Sequence, residues 1–365
     1  MRIASYNVEN LFNRAKIFDQ RTWAAGRPVL EAFERVCELL EEPVYTPEVQ
    51  HDVLRELGRL GLRNSDTAKF ARLRQNRGRL VTRRRDGRVE IVAGGRSDWI
   101  GWVELTTDRV DELALLNTAR VILDVRADIL GVIEAESRLA LRRFAEGGLG
   151  GLYPHIMVVD GNDERGIDVG VMSTVDYPLI GQRTHVDDTD ERGRIFSRDC
   201  PEYHFRIPGG GDLVVLVNHL KSKGYGGKVA SDAARRRQAA RVAEIYRSRS
   251  TPLVAVVGDL NDTPDSEPLA PLLRATDLRD IATHPGFDDG GRPGTYGSCT
   301  ARNKLDYVLL SPALFAAATG GGILRKGVWG GRRGVLWPIY DTMTRPVHAG
   351  SDHAAIYADI NLDKL

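Results

Sequence analysis

Cysteine is scarce: Cys37, Cys200 and Cys299 are the only three in 365 residues, odd in number and far apart. That spacing supports neither a disulfide framework nor a zinc site, and it fits a reduced setting without a disulfide-linked partner. A surplus of charge is also missing, since 51 Lys and Arg face 50 Asp and Glu, a formal net of +1. The whole-chain balance therefore carries no polyelectrolyte signal for nucleic acid or membrane. No stretch approaches the roughly 18 apolar residues that cross a bilayer. The opening MRIASYNVENLF has no cationic start, apolar run or small-residue cleavage site. A cytoplasmic protein with no membrane partner is expected. Internal repeats and low-complexity linkers are absent as well, leaving a globular composition with 42% hydrophobic residues and enough length to bury a large core.

Short apolar runs alternate with helical patterns, which argues for a layered α/β protein. Strands are expected at Arg2–Asn7, Asp128–Ile133, His155–Val159, Asp168–Ser173, Leu213–His219, Leu253–Val257, Leu305–Leu310 and Ala354–Ile360. Helices are expected at Val110–Val125, at Asp232–Arg247 with Ser231 as N-cap, and more briefly at Leu139–Glu146 and Pro268–Ala275. Residues 19–108 change texture, with helical patterns at Leu30–Glu41 and Thr46–Leu60 before an arginine-dense run that reads as a hairpin around Asp86-Gly87. We read them as a basic insertion packed against a single domain that spans residues 1–365.

Many of the strands end on polar residues, where a sheet places reactive groups at its edge. Asn7 ends the first strand in SYNVEN, and Glu134 follows a buried run in GVIEAE. Alone, Asn7 reads first as a turn former and Glu134 as a solvated loop acid. In VVGDLND, Asp259 and Asn261 stand two apart on one side of an extended segment, which suits holding a water, a cation and a phosphate oxygen, although an Asx turn uses the same residues. Asp352 and His353 in SDHAAI, Asp306 in KLDYVLLS and His219 in LVNHLKSKG repeat the pattern. Independent turn formers would not gather at strand ends so consistently.

The ordered set SYNVEN, IEAE, RGIDVGV, FSRD, NHLKSK, GDLND, KLDYVLLS, SDHAAI resembles the endonuclease/exonuclease/phosphatase superfamily over residues 1–18 and 108–365. The resemblance implies a four-layer α/β/β/α sandwich of two mixed sheets, with the site at one edge. It implies Glu134 as the main ligand of Mg²⁺ or Mn²⁺, assisted by Asn7 and Asp352. Asp259 would orient or deprotonate the attacking water, and Asn261 would donate to a phosphate oxygen. His353, oriented by Asp306, would contact the scissile phosphate, with His219 as a second histidine, Asp168 as its acidic partner and Arg198 as a phosphate-binding arginine. Asn218, Lys221, Lys223 and Tyr225, beside His219, would meet phosphate.

Lys69 to Arg96 holds ten basic residues against Asp86 and Glu90, a local net of +8 that leaves the remainder at −7. With Arg83, Arg84 and Arg85 at its turn, this run is expected to bind a polyanion, or else to form a solvated ribbon paired with acids. Arg235, Arg236, Arg237 and Arg241 form a second cluster, and Trp99, Trp102, Trp329 and Trp337 are either base-stacking platforms or packing anchors. The leading reading is a nuclease cutting DNA or RNA. The alternatives are hydrolysis of a small phosphorylated metabolite or phospholipid, and a catalytically silent phosphate-binding scaffold.

Overall fold

The structure is a computed structural model; it describes residues 1–9, 13–19, 23–163, 165–223, 227–249 and 251–365. Met1–Phe12, Val110–Lys223 and Lys228–Leu365 form one compact unit, and Asn13–Arg109 with Gly224–Gly227 a second.

Seven strands of the first unit carry the site: β1 (Arg2–Asn7), β2 (Ile129–Ala135), β3 (Asp168–Ser173), β4 (Asp212–His219), β5 (Val254–Asp259), β6 (Asp306–Leu310) and β7 (Ala355–Ile360). One sheet runs, edge to edge, Phe287–Asp288, Ala318–Leu324, β7, β1, β2, β3 and His155–Val159. The other runs Leu179–Arg183, Glu202–Arg206, β4, β5, β6 and Arg279–Asp280. Both are mixed: β1 lies parallel to β2 and antiparallel to β7, while β4 lies parallel to β5 and antiparallel to β6.

Side-chain alternation with period two turns these strands into layers. Ile3, Ile129, Val171, Val215, Val217, Val257, Val308 and Ile356 share one buried cluster that joins the inner faces of both sheets. On the outer face of the first sheet, Ala4, Tyr6, Leu130 and Val132 pack on Val121 and Ile122 of helix α1 (Glu112–Val125) and Leu141 of α2 (Arg138–Gly148). Beyond the second sheet, Val214, Leu216, Val256 and Leu309 pack on Ala239 and Val242 of α3 (Lys228–Arg247). The result is the expected α/β/β/α sandwich. Gly131 lets the sheets approach, because a Cβ there would lie 2.6 Å from Val257 Cγ2.

The eight expected strands are present, five with ends one or two residues away. Helix α3 starts at Lys228, three residues before Ser231, so Ser231 is a buried residue within the helix and not its N-cap. A Lys228–Asp232 ion pair spans the added turn. The strand Ala318–Leu324 escaped the sequence reading because Gly320-Gly321-Gly322 reads as loop; there the absence of side chains admits the backbone of β7, with Tyr357 O only 2.3 Å from where a Gly321 Cβ would stand.

The second unit has its own core. Helices Trp23–Leu40 and Pro47–Arg59 pack through Val36, Leu40, Val53 and Leu57 against Leu73 and Val103 of the paired strands Ala71–Arg77 and Ile100–Leu105. Trp99 is fully buried in it, its indole N–H donating to Tyr45 Oη at 3.1 Å. A second ribbon pairs Val81–Arg83 with Val89–Ile91 and turns at Asp86-Gly87 as expected. Gly87, at φ +86°, supplies the left-handed position of that turn.

Candidate active site

Register decides which side chains meet. His219 ends β4 opposite Asp259, which ends β5 opposite Asp306, the first residue of β6. By alternation all three face the inner layer, continuing the rows of Val217, Val257 and Val308. In the other sheet Asn7 ends β1 on the inner side, one register step beyond Tyr6↔Val132. Glu134 would point outward by parity. A bulge corrects this: Val169 pairs with Ile133 and Asp168 with Ala135, which leaves Glu134 as the extra residue, at φ +67°. A non-glycine residue held there costs about 1–3 kcal/mol, a strain that accumulates at functional positions. Asn261, at φ +54°, is held in the same way.

The cluster is tight. Asn7 Nδ2 lies 3.3 Å from Glu134 Oε1 and 3.4 Å from Asp259 Oδ2. His219 Nε2 stands 3.8 Å from both Glu134 Oε1 and Asp259 Oδ2. His353 Nε2 reaches Asp259 Oδ2 and Asp352 Oδ1, each at 3.8 Å, while its Nδ1 is hydrogen bonded to Asp306 Oδ2 at 2.8 Å. The Ser351 hydroxyl donates to Asn7 O and accepts from His353 N, tying the last loop to β1. The Asp259 Oδ1 atom accepts Asn261 N–H at 2.8 Å, and Asn261 Nδ2 donates to Leu220 O at 3.1 Å, so the GDLND turn is locked to the end of β4.

Burial and charge separate the two histidines. Burial, followed by the Arg198 and Arg165 guanidiniums, holds His219 well below the ordinary histidine value, so it is neutral near pH 7. For His353 burial pulls the same way, but Asp306, Asp259 and Asp352 outweigh it and raise the imidazole well above that value. Burial and then Asp306 push the Asp259 carboxyl up to about 7, against the pull of His353. The edge thus presents a neutral imidazole and an imidazolium on either side of one buried acid.

The sequence model of the Endonuclease/Exonuclease/phosphatase family matches residues 108–353. The chain belongs to the endonuclease/exonuclease/phosphatase family. No curated protein sequence matches it. Among solved structures, a mannosyl-6-phosphatase of Bacteroides thetaiotaomicron is 17% identical with a TM-score of 0.52, covering 68% of this chain and 91% of its own. An endonuclease/exonuclease/phosphatase family protein of the same bacterium is also 17% identical, with a TM-score of 0.51 and coverage of 67% and 87%. The human Nocturnin catalytic domain, with bound sulfate, is 15% identical at a TM-score of 0.50, covering 68% and 86%. These likenesses establish the shared fold. Members of the family are phosphoesterase hydrolases, generally dependent on a divalent metal.

Other residues singled out from this family member's sequence are engaged differently from expectation. Asp168 does not pair with His219: its Oδ1 accepts Gly161 N–H at 2.8 Å, and burial raises it to about 6. The same bulge that admits Glu134 shifts the Asp168 register, leaving its carboxylate to cap the turn before β3. His219 Nδ1 is buried without a hydrogen-bond partner among the described residues. Asn218 also departs from expectation, because parity turns it away from the inner layer to the side of Leu216, buried against Cys200. Lys223 pairs with Asp262, next to Asn261, and Lys221 N–H donates to Gln238 Oε1. Tyr225 lies outside the described residues. Arg198 is buried and salt-bridged to Asp163 at 3.0 Å, and Arg165 holds the same carboxylate at 2.6 Å.

The arginine runs are largely structural. Arg235 is fully buried between Asp232 and Asp262 and donates to Lys221 O, while Arg237 pairs with Asp190 and Arg241 with Asp188. In the second unit, Arg83 donates to Arg63 O, Leu62 O and Asp66, Arg84 pairs with Glu90, and Arg85 is exposed at the turn.

Three participants escaped the sequence reading. Glu9, at φ +51°, accepts Asp352 N–H at 2.9 Å, and Tyr296 packs its ring 4.8 Å from that of His353. Arg165 acts on His219 alongside Arg198. Glu9 stood in the quoted SYNVEN motif two residues after Asn7, and Arg165 opened RGIDVGV, so their signals were present. Tyr296 is brought in from a loop and carried none.

Proposed function

We propose that the protein is a divalent-metal-dependent phosphodiesterase acting on polynucleotides. The observation that carries this reading is Asp259, buried between Asn7, Glu134 and two histidines of opposite protonation. The donor set fits a hard cation. Glu134 and the Asn7 carboxamide oxygen would hold Mg²⁺ or Mn²⁺, with Asp352 nearby, because carboxylate and carbonyl oxygens suit such ions. Among the described residues Asp259, Asp306 and His353 bring ligand-type atoms within 4.8 Å of one another. The Asp306–His353 pair, however, is already joined by a 2.8 Å hydrogen bond and is better used as a proton-holding dyad. When bound, the cation neutralises charge developing on the phosphoryl oxygens.

The residues divide the remaining work. Asp259, with one oxygen fixed by Asn261 N–H, takes the proton of the attacking water through the other. His353, kept protonated by Asp306, donates to a phosphoryl oxygen as it gains charge. Arg165 and Arg198 supply fixed positive potential on the His219 side. A monoanionic diester suits this edge better than a dianionic monoester, since Glu134, Asp259 and Asp352 already crowd it with carboxylates. The test is a Mg²⁺ and Mn²⁺ panel on DNA, RNA, a small diester and sugar or inositol monophosphates, beside Asp259→Ala. Polynucleotide cleavage that EDTA abolishes and that the variant lowers at least about a hundredfold is expected. Monoester hydrolysis alone would move the protein to a phosphatase, and equal activity in the variant would overturn the assignment.

A further inference from the structure

Residues 325–354 connect strand Ala318–Leu324 to β7. Both ends stand at the catalytic edge, because Leu324 pairs with Ala355 and β7 begins two residues after His353. The segment is braced. Gly327 O accepts Gly350 N–H, Trp337 Nε1 donates to Val328 O at 3.0 Å, Val335 N–H donates to Gly330 O at 3.0 Å, and Gly334 lies so close to the Trp329 ring that a Cβ would meet it at 2.9 Å. Trp329 and Trp337 are therefore the framework of the loop, not its contact surface.

At the tip, Gly331 and Gly334, both at φ +70°, bracket Arg332 and Arg333. Both arginines are exposed, and neither has a hydrogen bond or ion pair to any described residue. No acid occurs between residues 325 and 340 to neutralise them. A second segment rooted at the same place repeats the feature: Gly297 N–H donates to Asp352 O, Tyr296 lies against His353, and Arg302 just beyond is exposed and likewise without a partner. Elsewhere in this unit arginines mostly have their acids, as with Arg2, Arg120, Arg206, Arg235, Arg237 and Arg241.

We infer that Arg332 and Arg333, with Arg302, bind the phosphodiester backbone of a polynucleotide flanking the scissile bond. The inference rests on the phosphodiesterase reading and extends it from the reacting phosphate to its neighbours. Free guanidiniums on a rigid support lose little freedom on meeting phosphate and release counterions from the polymer, whereas a small ester held at Asp259 has no neighbouring phosphate for them. The exposed Val335 and Leu336 beside the pair meet sugars or base edges in this arrangement.

The experiment uses the full chain carrying Asp259→Asn, so that bound substrate persists, with a fluorescein-labelled oligonucleotide and Mg²⁺. Adding Arg332→Ala and Arg333→Ala together is expected to weaken binding about tenfold at moderate salt and to lower the slope of log affinity against log salt by about 2, one per lost phosphate contact. Arg143→Ala, removing one exposed unpaired charge from helix α2, serves as the control and should leave both unchanged. In the otherwise native chain, the double variant should raise KM for the oligonucleotide far more than KM for a small diester. An unchanged slope in a protein that cleaves polynucleotides overturns this inference alone. Failure of the native chain to cut any polynucleotide while it hydrolyses small diesters overturns the proposed function, and this inference with it. Binding of the arginine pair to phosphatidylglycerol vesicles but not to the oligonucleotide assigns the loop to a lipid surface and also overturns it.

Discussion

Two regions of this chain are rich in charge, and they use it in opposite ways. At the sandwich edge, Asp259, Asp306, His219 and His353 are almost completely buried, yet Asp306 Oδ1 and His219 Nδ1 have no hydrogen-bond partner among the described residues. In the second unit, the Lys69–Arg96 ribbon is exposed but much of its charge is spent internally, on Asp66, Glu90, Glu104 and backbone carbonyls. Residues 13–109 as a whole carry a net of only +4. Buried groups left unsatisfied are costly to the fold and open to a substrate, whereas paired surface ions are worth little to either. Charge density along a sequence is therefore a poorer guide to binding than the whereabouts of counter-charges.

The strongest challenge to this contrast is at Asp259. Its carboxyl is raised from the ordinary aspartate range to about 7, so the native state holds a proton that the unfolded chain releases. Between roughly pH 4 and 7 this group makes the metal-free fold less stable as pH rises. Asp259→Asn should accordingly raise Tm of the metal-free protein at pH 8 while costing at least about a hundredfold in kcat. A lower Tm there would show that the acid supports the fold instead of straining it. Next in size is Glu134→Gln, which should raise the Mg²⁺ concentration for half-maximal activity by about 10- to 100-fold with the fold intact by circular dichroism. An unaltered metal requirement would move the ligand role to another acid.

Asp306→Asn should then lower activity about tenfold or more and drop the His353 pKa, since Asp306 is the largest influence holding the imidazolium. Nitrogen NMR of the metal-free chain reads that drop directly, and a His353 that still titrates above the ordinary histidine value would break the dyad. A smaller effect is expected in the ribbon. Arg83→Ala removes hydrogen bonds to Leu62 O, Arg63 O and Asp66, and should cost about 1–3 kcal/mol on thermal unfolding without changing small-diester hydrolysis. Arg85→Glu, exposed at the turn, should stay within about 0.5 kcal/mol. Should Arg85→Glu instead raise KM for DNA strongly, the ribbon would take part in binding and the contrast would fail.

Much of the site was legible in advance because its residues belong to local patterns. Asn7, Asp259 and Asp306 terminate apolar strands, and a strand's period fixes which face its last residue takes. The same reasoning misplaced Asn218, since two neighbours in NHLKSK cannot both face the inner layer, and one register position decides between them. Glu134 joins the cluster although parity alone points it outward; the bulge opposite Asp168 that turns it inward is a property of two strands, not one. By the motif Asp168 is the acidic partner of His219, but the shift in its register leaves it capping a turn. Arg235 illustrates the same limit, because its burial depends on Asp232, one turn away, and Asp262, from a different strand end.

By itself the sequence determined the order of the eight expected strands, the layered α/β class and the chemical types gathered at strand ends, since these follow from hydrophobic period and local motif. Only the tertiary structure decided which charges are spent and which remain available: Arg83 against Arg332, Asn218 against His219, a neutral histidine against a protonated one. Those distinctions depend on partners remote in the chain and on burial, and a linear pattern encodes neither until the strands are in register.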